Sequence, residues 1–180
     1  IHEVERLENL VKRVDEYKNT HGSTLKKDDI HEVIIEAVKD IKGVMQTNYI
    51  DIKLSLMQDP PLLMIDKANL KKAILNILQN SIDASDKKGE INITTMPSEG
   101  GYMDLVIRDT GCGIKSEDIK NIFNPFYTSK MTGAGLGLTI AYKIIQDHKG
   151  DITVESPEGK GTIVSIKFPV IREGGGLFSK

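Results

Sequence analysis

Apolar residues recur at helical spacing at the start of the chain. In residues 2–18 the apolar stripe consists of Val4, Leu7, Leu10, Val11, Val14 and Tyr17. Spacing of three and four residues, with charged residues between, predicts an amphipathic helix of the kind found in bundles and coiled coils. The polar residues 19–23 then predict the end of this helix and a linker to the rest of the chain.

Three later stretches repeat the helical spacing. Asp28 or Asp29 is placed to cap the first of them, and Asp66 to cap the second. The apolar face of the first consists of Ile30, Val33, Ile34, Ala37, Val38 and Ile41. The apolar face of the second consists of Leu70, Ala73, Ile74, Ile77, Leu78 and Ile82. The third predicted helix covers residues 138–148.

Alternating apolar and polar residues, and short apolar runs, predict a sheet. The predicted strands are residues 50–56, 62–65, 90–95, 102–108, 151–155 and 162–168. Together with the helices they predict an α+β fold, a two-layer sandwich whose mixed, mostly antiparallel sheet is covered on one face by helices, with an N-terminal helix extension. The predicted parts are 1–22 for that extension and its linker, 23–170 for the main domain and 171–180 for a flexible tail.

Composition narrows the function classes. The 180 residues contain 24 Lys and Arg against 26 Asp and Glu, and a net charge of −2 rules out a strongly basic nucleic-acid clamp as the default, although a local basic pocket stays open. The single cysteine, Cys112, excludes an internal disulfide and suits a reducing compartment. No apolar run approaches the roughly 20 residues of a membrane span, and the start has no signal-peptide pattern. Because the first residue is Ile1, we expect a soluble part of a longer protein.

Two asparagines lie one turn apart on the long predicted helix. Asn76 and Asn80 share a face, beside the apolar stripe. Their carbonyl oxygens are hard ligands that suit Mg²⁺, which also binds substrate phosphates. The alternative is that both amides hydrogen-bond a neighbouring loop. By itself, the pair favours this alternative.

Three glycine-containing segments are candidates for ligand binding. After a predicted strand, Asp109-Thr110-Gly111-Cys112-Gly113 offers a carboxylate that could accept hydrogen bonds from an amino group such as that of adenine, and glycines that let the backbone approach a flat ligand. Before a helix, Gly133-Ala134-Gly135-Leu136-Gly137 offers backbone N–H groups to an anion, and Lys130 adds a cation. A hairpin turn explains Gly159-Lys160-Gly161-Thr162. The other two segments could be an ordinary turn and a hinge.

The order of these motifs resembles the ATP-binding catalytic domain of sensor histidine kinases, in the superfamily shared with gyrase, Hsp90 and MutL. The resemblance covers about residues 24–169. The N box of that family is matched by Asn76 and Asn80, within the run that continues through Asp83 and Ala84. The first glycine box is matched by Asp109, Gly111 and Gly113, the F box by Phe123-Asn124-Pro125-Phe126, and the second glycine box by Gly133, Gly135 and Gly137. Ala134 departs from the Thr of many relatives.

The resemblance implies binding of ATP and Mg²⁺. Asp109 would bind the adenine amino group, Asn80 would hold the metal against the phosphates, and Asn76 and Lys130 would act in catalysis. Residues 124–134 would form a mobile lid. The implied nucleotide-binding residues are Asn76, Asn80, Asp83, Asp109, Gly111, Gly113, Ile114, Phe126, Thr128, Lys130, Gly133, Gly135, Leu136, Gly137, Leu138 and Thr162.

The amide of Asn76 distinguishes transfer from hydrolysis within this resemblance. ATP-hydrolysing relatives, and related serine kinases, carry a Glu there as general base, and an amide cannot accept that proton. A histidine imidazole needs no such base, because its neutral nitrogen is already a nucleophile. We therefore predict the catalytic fragment of a two-component sensor histidine kinase. The alternatives are a nucleotide-dependent interaction module without transfer activity and an ATPase of the same superfamily.

The resemblance places the phosphoacceptor histidine on a dimerising hairpin. His2 lacks the proline that the family places four or five residues later, so we expect residues 1–17 to resemble the second hairpin helix and the acceptor to lie on a hairpin outside this chain. We expect His31 at the solvent or the core edge and His148 as a cation at a helix C-terminus.

The implied partners are that hairpin of the same protein, the receiver domain of a response regulator and, for the full-length protein, a second copy of itself. No nucleic acid is implied. The implied location is the cytoplasm, either free or as the cytoplasmic part of a membrane-anchored sensor.

Overall fold

The computed structural model describes residues 11, 13–15, 24–45, 49–85, 88–130 and 133–171. Residues 11 and 13–15 are helical, in agreement with the predicted N-terminal helix. The remainder of that helix, the predicted linker 19–23, His2, His21 and the predicted tail after Ile171 lie outside the described residues. In the described ranges, no helix combines the length and the hydropathy needed to cross a membrane.

Seven strands and four helices follow in the described main domain. The strands are β1 Lys26–Asp28, β2 Tyr49–Ser55, β3 Leu63–Ile65, β4 Lys88–Ser98, β5 Tyr102–Asp109, β6 Asp151–Glu155 and β7 Ile163–Pro169. The helices are α1 Ile30–Met45, α2 Lys67–Ala84, α3 Ser116–Ile119 and α4 Gly137–Asp147. All the predicted strands and helices are present, and β1 and α3 are additional.

The main sheet has the strand order β2-β4-β5-β7-β6. Strand β2 pairs parallel with β4, and the other neighbours pair antiparallel. Strands β1 and β3 form a separate antiparallel pair. The prediction of a mixed, mostly antiparallel sheet is confirmed.

The core lies between one face of this sheet and helices α1, α2 and α4. Alternate residues of the central strands are buried, for example Ile91 and Ile93 on β4 and Leu105 and Ile107 on β5. Every residue predicted for the apolar faces of α1 and α2 is buried as well. Each large aliphatic side chain buried in this way contributes on the order of 1.5–3 kcal/mol. The predicted two-layer sandwich is therefore confirmed.

Two aspartates cap two of the three helices of this layer. The Asp29 carboxylate accepts a hydrogen bond from the His31 backbone N–H at 2.8 Å, so Asp29 and not Asp28 caps α1. The Asp66 carboxylate accepts from the Asn69 N–H at 3.1 Å and caps α2 as predicted. Asp28 instead pairs with Lys67, whose hydrogen bond is the main cause holding the pKa of the Asp28 carboxyl below its usual value.

His148 is not the cation predicted for the end of α4. The side chain is buried, its Nε2 accepts a hydrogen bond from the Asp66 N–H at 2.9 Å, and its Nδ1 lies 2.7 Å from the carbonyl oxygen of Ile144. With Nε2 accepting, the ring hydrogen must sit on Nδ1, which is the neutral imidazole. The prediction was wrong because His148 joins the end of α4 to the cap of α2.

His31 is buried at the edge of the core, one of the two positions expected for it, and its Nε2 lies 2.8 Å from the Thr95 hydroxyl.

Strand β2 follows its predicted alternation less completely. Ile50 is buried but Leu54 is 41% exposed, because β2 is an edge strand with a neighbour on one side alone.

The cap at Asp66 leads to a prediction about stability. Asp66→Ala removes the acceptor for the first turn of α2, so we expect the free energy of unfolding to fall by about 1 kcal/mol. Asp66→Asn keeps a side-chain oxygen and serves as the matched control, with a smaller loss. Urea unfolding followed by circular dichroism measures both variants. An unchanged midpoint for Asp66→Ala would show that the cap does not stabilise α2.

Candidate functional site

A cavity of about 1000 Å³ lies between α2, the start of α4 and the segment that follows β5. Val154 of β6 and Val164 of β7 contribute an apolar part of its wall. The predicted nucleotide-binding residues that line it are Asn76, Asn80, Asp83, Asp109, Gly113, Ile114, Thr128, Lys130, Gly133, Gly135, Leu136, Gly137, Leu138 and Thr162. Gly111 and Phe126 are the two predicted residues that do not line it.

Helix α2 presents polar side chains to the cavity from the face next to its buried stripe. Asn76, Asn80 and Asp83 follow one another at intervals of four and three residues, so they share a face. Ile77 and Ile82 beside them are buried in the core. The core therefore fixes how far α2 is rotated, and with it the direction of the three polar side chains.

Lys130 connects the segment before α4 to this polar face. Its Nζ donates to the Asn80 Oδ1 at 3.2 Å and to the Asp83 Oδ2 at 2.7 Å. Asn76 has a cationic partner as well, because the Arg13 Nη1 donates to its Oδ1 at 2.9 Å. Asn80 thus bonds a neighbouring loop, as the alternative interpretation of the pair expected, whereas the partner of Asn76 lies on the N-terminal helix. At the Lys130 ammonium, an amide oxygen and a carboxylate oxygen lie within hydrogen-bond distance of the same cation.

Asp109 lies where β5 ends and is 5% exposed. Its Oδ1 accepts hydrogen bonds from the backbone N–H groups of Gly111 at 2.9 Å and Thr162 at 3.0 Å. Gly161 makes this approach possible: it has φ +80°, and a Cβ there would lie 2.0 Å from the Asp109 carbonyl oxygen. Within the described residues, the hydrogen bonds to this carboxylate end on Oδ1, so Oδ2 keeps its capacity to accept from a ligand.

Gly111 lies against α2 instead of facing the cavity. A Cβ at Gly111 would lie 2.8 Å from the Ala84 carbonyl oxygen, which accepts the Cys112 N–H at 2.9 Å. This close contact holds the segment after β5 against the end of α2. Gly111 supports the cavity wall without forming part of it.

Phe126 contributes its backbone to the site and not its ring. The ring is 63% exposed, and the Phe126 N–H donates to the Gly135 carbonyl oxygen at 2.9 Å. Gly135 has φ +66°, and a Cβ there would lie 2.4 Å from the Phe126 carbonyl carbon. Helix α4 begins two residues later, and no side chain caps its N-terminus. Its first N–H groups and positive dipole end therefore suit an anion.

Several cavity residues were missed from the sequence. Val154 and Val164 could have been found from the alternation of their strands, since each lies two residues from a buried isoleucine, Ile152 or Ile166. Tyr127 and Asp118 carried no motif; the Tyr127 hydroxyl donates to the Asp118 carboxylate, and that hydrogen bond is the main cause raising the pKa of the phenol. Arg13 lies on the charged side of the N-terminal helix, 63 residues before Asn76, and belongs to no sequence motif.

Comparison with curated proteins shows similarity to kinases. Sporulation kinase E of Bacillus subtilis is 29% identical over 168 residues, which cover 93% of this chain and 23% of that protein. Sensor histidine kinase ZraS of Salmonella typhimurium is 29% identical over 169 residues, which cover 94% of this chain and 36% of that protein. The chain spans well under half the length of these curated relatives.

Comparison with solved structures confirms the fold. The mycobacterial sensor histidine kinase MprB superposes with a TM-score of 0.73 at 26% identity, covering 81% of this chain and 97% of that one. The catalytic domain of histidine kinase ThkA gives 0.72 at 28% identity, covering 81% and 95%. Histidine kinase ThkA in complex with response regulator protein TrrA gives 0.78 at 26% identity, covering 97% of this chain and 50% of that one.

The family match covers most of the described domain, from the end of β3 to beyond β7. It spans residues 65–172 and includes α2, the segment after β5 and the start of α4. The resemblance inferred from the motif order is confirmed. The chain belongs to the histidine kinase-, DNA gyrase B- and HSP90-like ATPase family, as the catalytic domain of a histidine kinase.

Proposed function

We propose that this domain binds Mg·ATP in the cavity and transfers the γ-phosphoryl group to a histidine on the hairpin of its parent kinase. The observation that carries the proposal is the convergence on one cavity of three distant groups of residues. These are the polar face of α2, the carboxylate of Asp109 and the uncapped start of α4. The cavity thus combines a buried acceptor with cations and the N-terminus of a helix that no side chain caps.

Asp109 would bind the adenine base. Its buried carboxylate is held by two backbone N–H groups on Oδ1, which leaves Oδ2 for the exocyclic amino group. Ile114, Val154 and Val164 line the same cavity and suit the faces of an aromatic ring. Gly113, with φ +73°, shapes the backbone beside this part of the cavity.

The triphosphate would lie at the start of α4. Residues 133–137 line the cavity, no side chain caps the start of α4, and the helix dipole favours negative charge at that end. Lys130 stands nearby, held at present by Asn80 and Asp83. We propose that Lys130 turns from these oxygens to the terminal phosphate when nucleotide binds.

The residues fit a magnesium ion in this position. The oxygens of Asn80 and Asp83 already lie within hydrogen-bond distance of a single cation, the Lys130 ammonium. Such hard oxygens suit Mg²⁺, which takes a few protein ligands together with water and phosphate oxygens. Asn80 would hold the ion, and the bound ion would neutralise charge on the transferring phosphoryl group.

The transfer itself needs positioning more than acid–base chemistry. The imidazole nitrogen forms a bond to the γ-phosphorus while the bond from that phosphorus to the bridging oxygen breaks, and ADP leaves with those electrons. Asn76 cannot accept a proton, so it would orient the reacting groups without activating water. Lys130 would stabilise the charge of the terminal phosphate.

The proposed partners follow from the same reaction. The acceptor is a hairpin of the same protein, which also dimerises, and the phosphoryl group then passes to a receiver domain. The solved complex of histidine kinase ThkA with response regulator protein TrrA supports a partner of that class.

The metal assignment predicts the behaviour of Asn80→Ala. Calorimetric titration with a non-hydrolysable ATP analogue should show Mg²⁺-dependent binding to the wild type, weakened about tenfold or more in the variant, because a charge-assisted contact is worth about 1.5–3 kcal/mol. Asn92→Ala is the matched control, since Asn92 lies on β4 and bonds to Glu90 outside the cavity. Absence of nucleotide binding to the wild type at millimolar concentration would overturn the proposed function.

The choice of reaction predicts where radiolabel from ATP appears. We expect label on a separately expressed acceptor hairpin mixed with the chain, none on a hairpin whose acceptor histidine is changed to Gln, and none retained by the chain alone. Label that reaches no hairpin, with nucleotide binding intact, would favour an interaction module. Sustained release of phosphate by the chain alone would favour an ATPase.

The backbone of the segment before α4 leads to a third prediction. Gly135→Ala places a Cβ against the Phe126 carbonyl, so we expect the segment to rearrange and nucleotide binding to weaken at least several-fold. Gly159→Ala is the matched control: Gly159 also has positive φ, but its added Cβ meets nothing within 4 Å. That control should lose about 1–2 kcal/mol of stability and keep its affinity. Equal affinity of both variants would show that the close contact at Gly135 is not needed for binding.

A further inference from the structure

Arg13, in the described part of the N-terminal helix, lines the cavity. Its Nη1 donates a 2.9 Å hydrogen bond to the Asn76 Oδ1, and the residue lines the cavity and is half-buried. The neighbouring Val14 packs against the hydrophobic core. The helix is therefore docked at this point by an apolar contact and a polar one.

Arg13 lies next to the first turn of α4. A Cβ at Gly137 would lie 3.2 Å from the Asn76 Oδ1 and 3.6 Å from the Arg13 Nη1. Gly137 is the first residue of α4, whose uncapped N–H groups suit an anion. The guanidinium of Arg13 thus lies beside the start of α4. Asp109 has different neighbours, since its carboxylate bonds Gly111 and Thr162.

The contact with Asn76 leaves the charge of Arg13 in place. A neutral amide does not cancel a positive charge, and a guanidinium has five N–H donors, of which this bond uses one. A planar guanidinium also matches two oxygens of a phosphate at once. Among the described residues Asn76 is the hydrogen-bond partner of Arg13, which therefore has the charge and, with respect to those residues, the spare donors to bind a phosphate there.

We propose that Arg13 binds the terminal phosphate of the nucleoside triphosphate, so that the helix preceding the domain completes the nucleotide site. This inference rests on the proposed function, because it assigns a further residue to the same cavity. Nucleotide binding and docking of the N-terminal helix then favour each other, since each supplies a partner to the other. Diphosphate binding lacks this contact, so the helix distinguishes the two nucleotides.

The test compares Arg13→Gln and Arg13→Lys with the wild-type chain. Calorimetric titration in the presence of Mg²⁺ uses ADP and a non-hydrolysable ATP analogue. Loss of a charge-assisted bond should weaken analogue binding by Arg13→Gln about tenfold or more and change ADP binding less than about twofold. Arg13→Lys keeps the positive charge but not the planar guanidinium. Its affinity for the analogue should lie between those of the wild type and Arg13→Gln.

Arg108→Gln is the matched control, because it makes the same charge change on an exposed side chain of β5 that does not line the cavity. It should bind both nucleotides as the wild type does. Thermal unfolding without nucleotide shows whether each variant is folded.

The inference is overturned if folded Arg13→Gln binds the analogue with wild-type affinity. Tighter binding by that variant would also overturn it, and would mean that Arg13 blocks the cavity through Asn76. Equal losses for ADP and the analogue would place Arg13 away from the terminal phosphate. A wild-type chain that binds neither nucleotide would instead overturn the proposed function.

Discussion

Helix α2 is buried along one face and lines the cavity with the next, and the remaining structure depends on this division. Its apolar residues pack against α1, α4 and the sheet, so rotation of the helix would expose several large side chains at a cost of several kcal/mol. Asn76, Asn80 and Asp83 are therefore held in one direction by the core. Asp66 and His148 fix the start of the helix by capping it and tying it to the end of α4.

Polar contacts link this fixed helix to two other segments, the one before α4 that carries Lys130 and the N-terminal one that carries Arg13. The oxygens on α2 are satisfied by cations of the chain itself, Lys130 for Asn80 and Asp83, and Arg13 for Asn76. Binding of metal and phosphate would exchange these contacts for new ones. The free energy of the proposed binding would then be a difference between two sets of polar contacts, and the segments that carry Lys130 and Arg13 would both respond to the ligand.

Close backbone contacts at glycine build the rest of the cavity. Gly161 brings the β6–β7 turn onto Asp109, and Gly111 brings the segment after β5 onto the end of α2. Each contact joins parts of the chain that are distant in sequence, and each requires glycine because it leaves no room for a side chain. The hairpin at residues 159–162, which its own turn explains, is in this way also part of the site.

The sequence by itself determined the helices, nearly all the strands, the caps and the motif residues, because periodicity, capping and turn chemistry act over a few residues. Only the tertiary structure decided what these elements meet. It buried His148, left Leu54 on an edge strand and turned Phe126 outward. It also placed Arg13 beside Asn76, 63 residues away. Such contacts depend on packing between segments that are distant in sequence, and local sequence patterns therefore do not predict them.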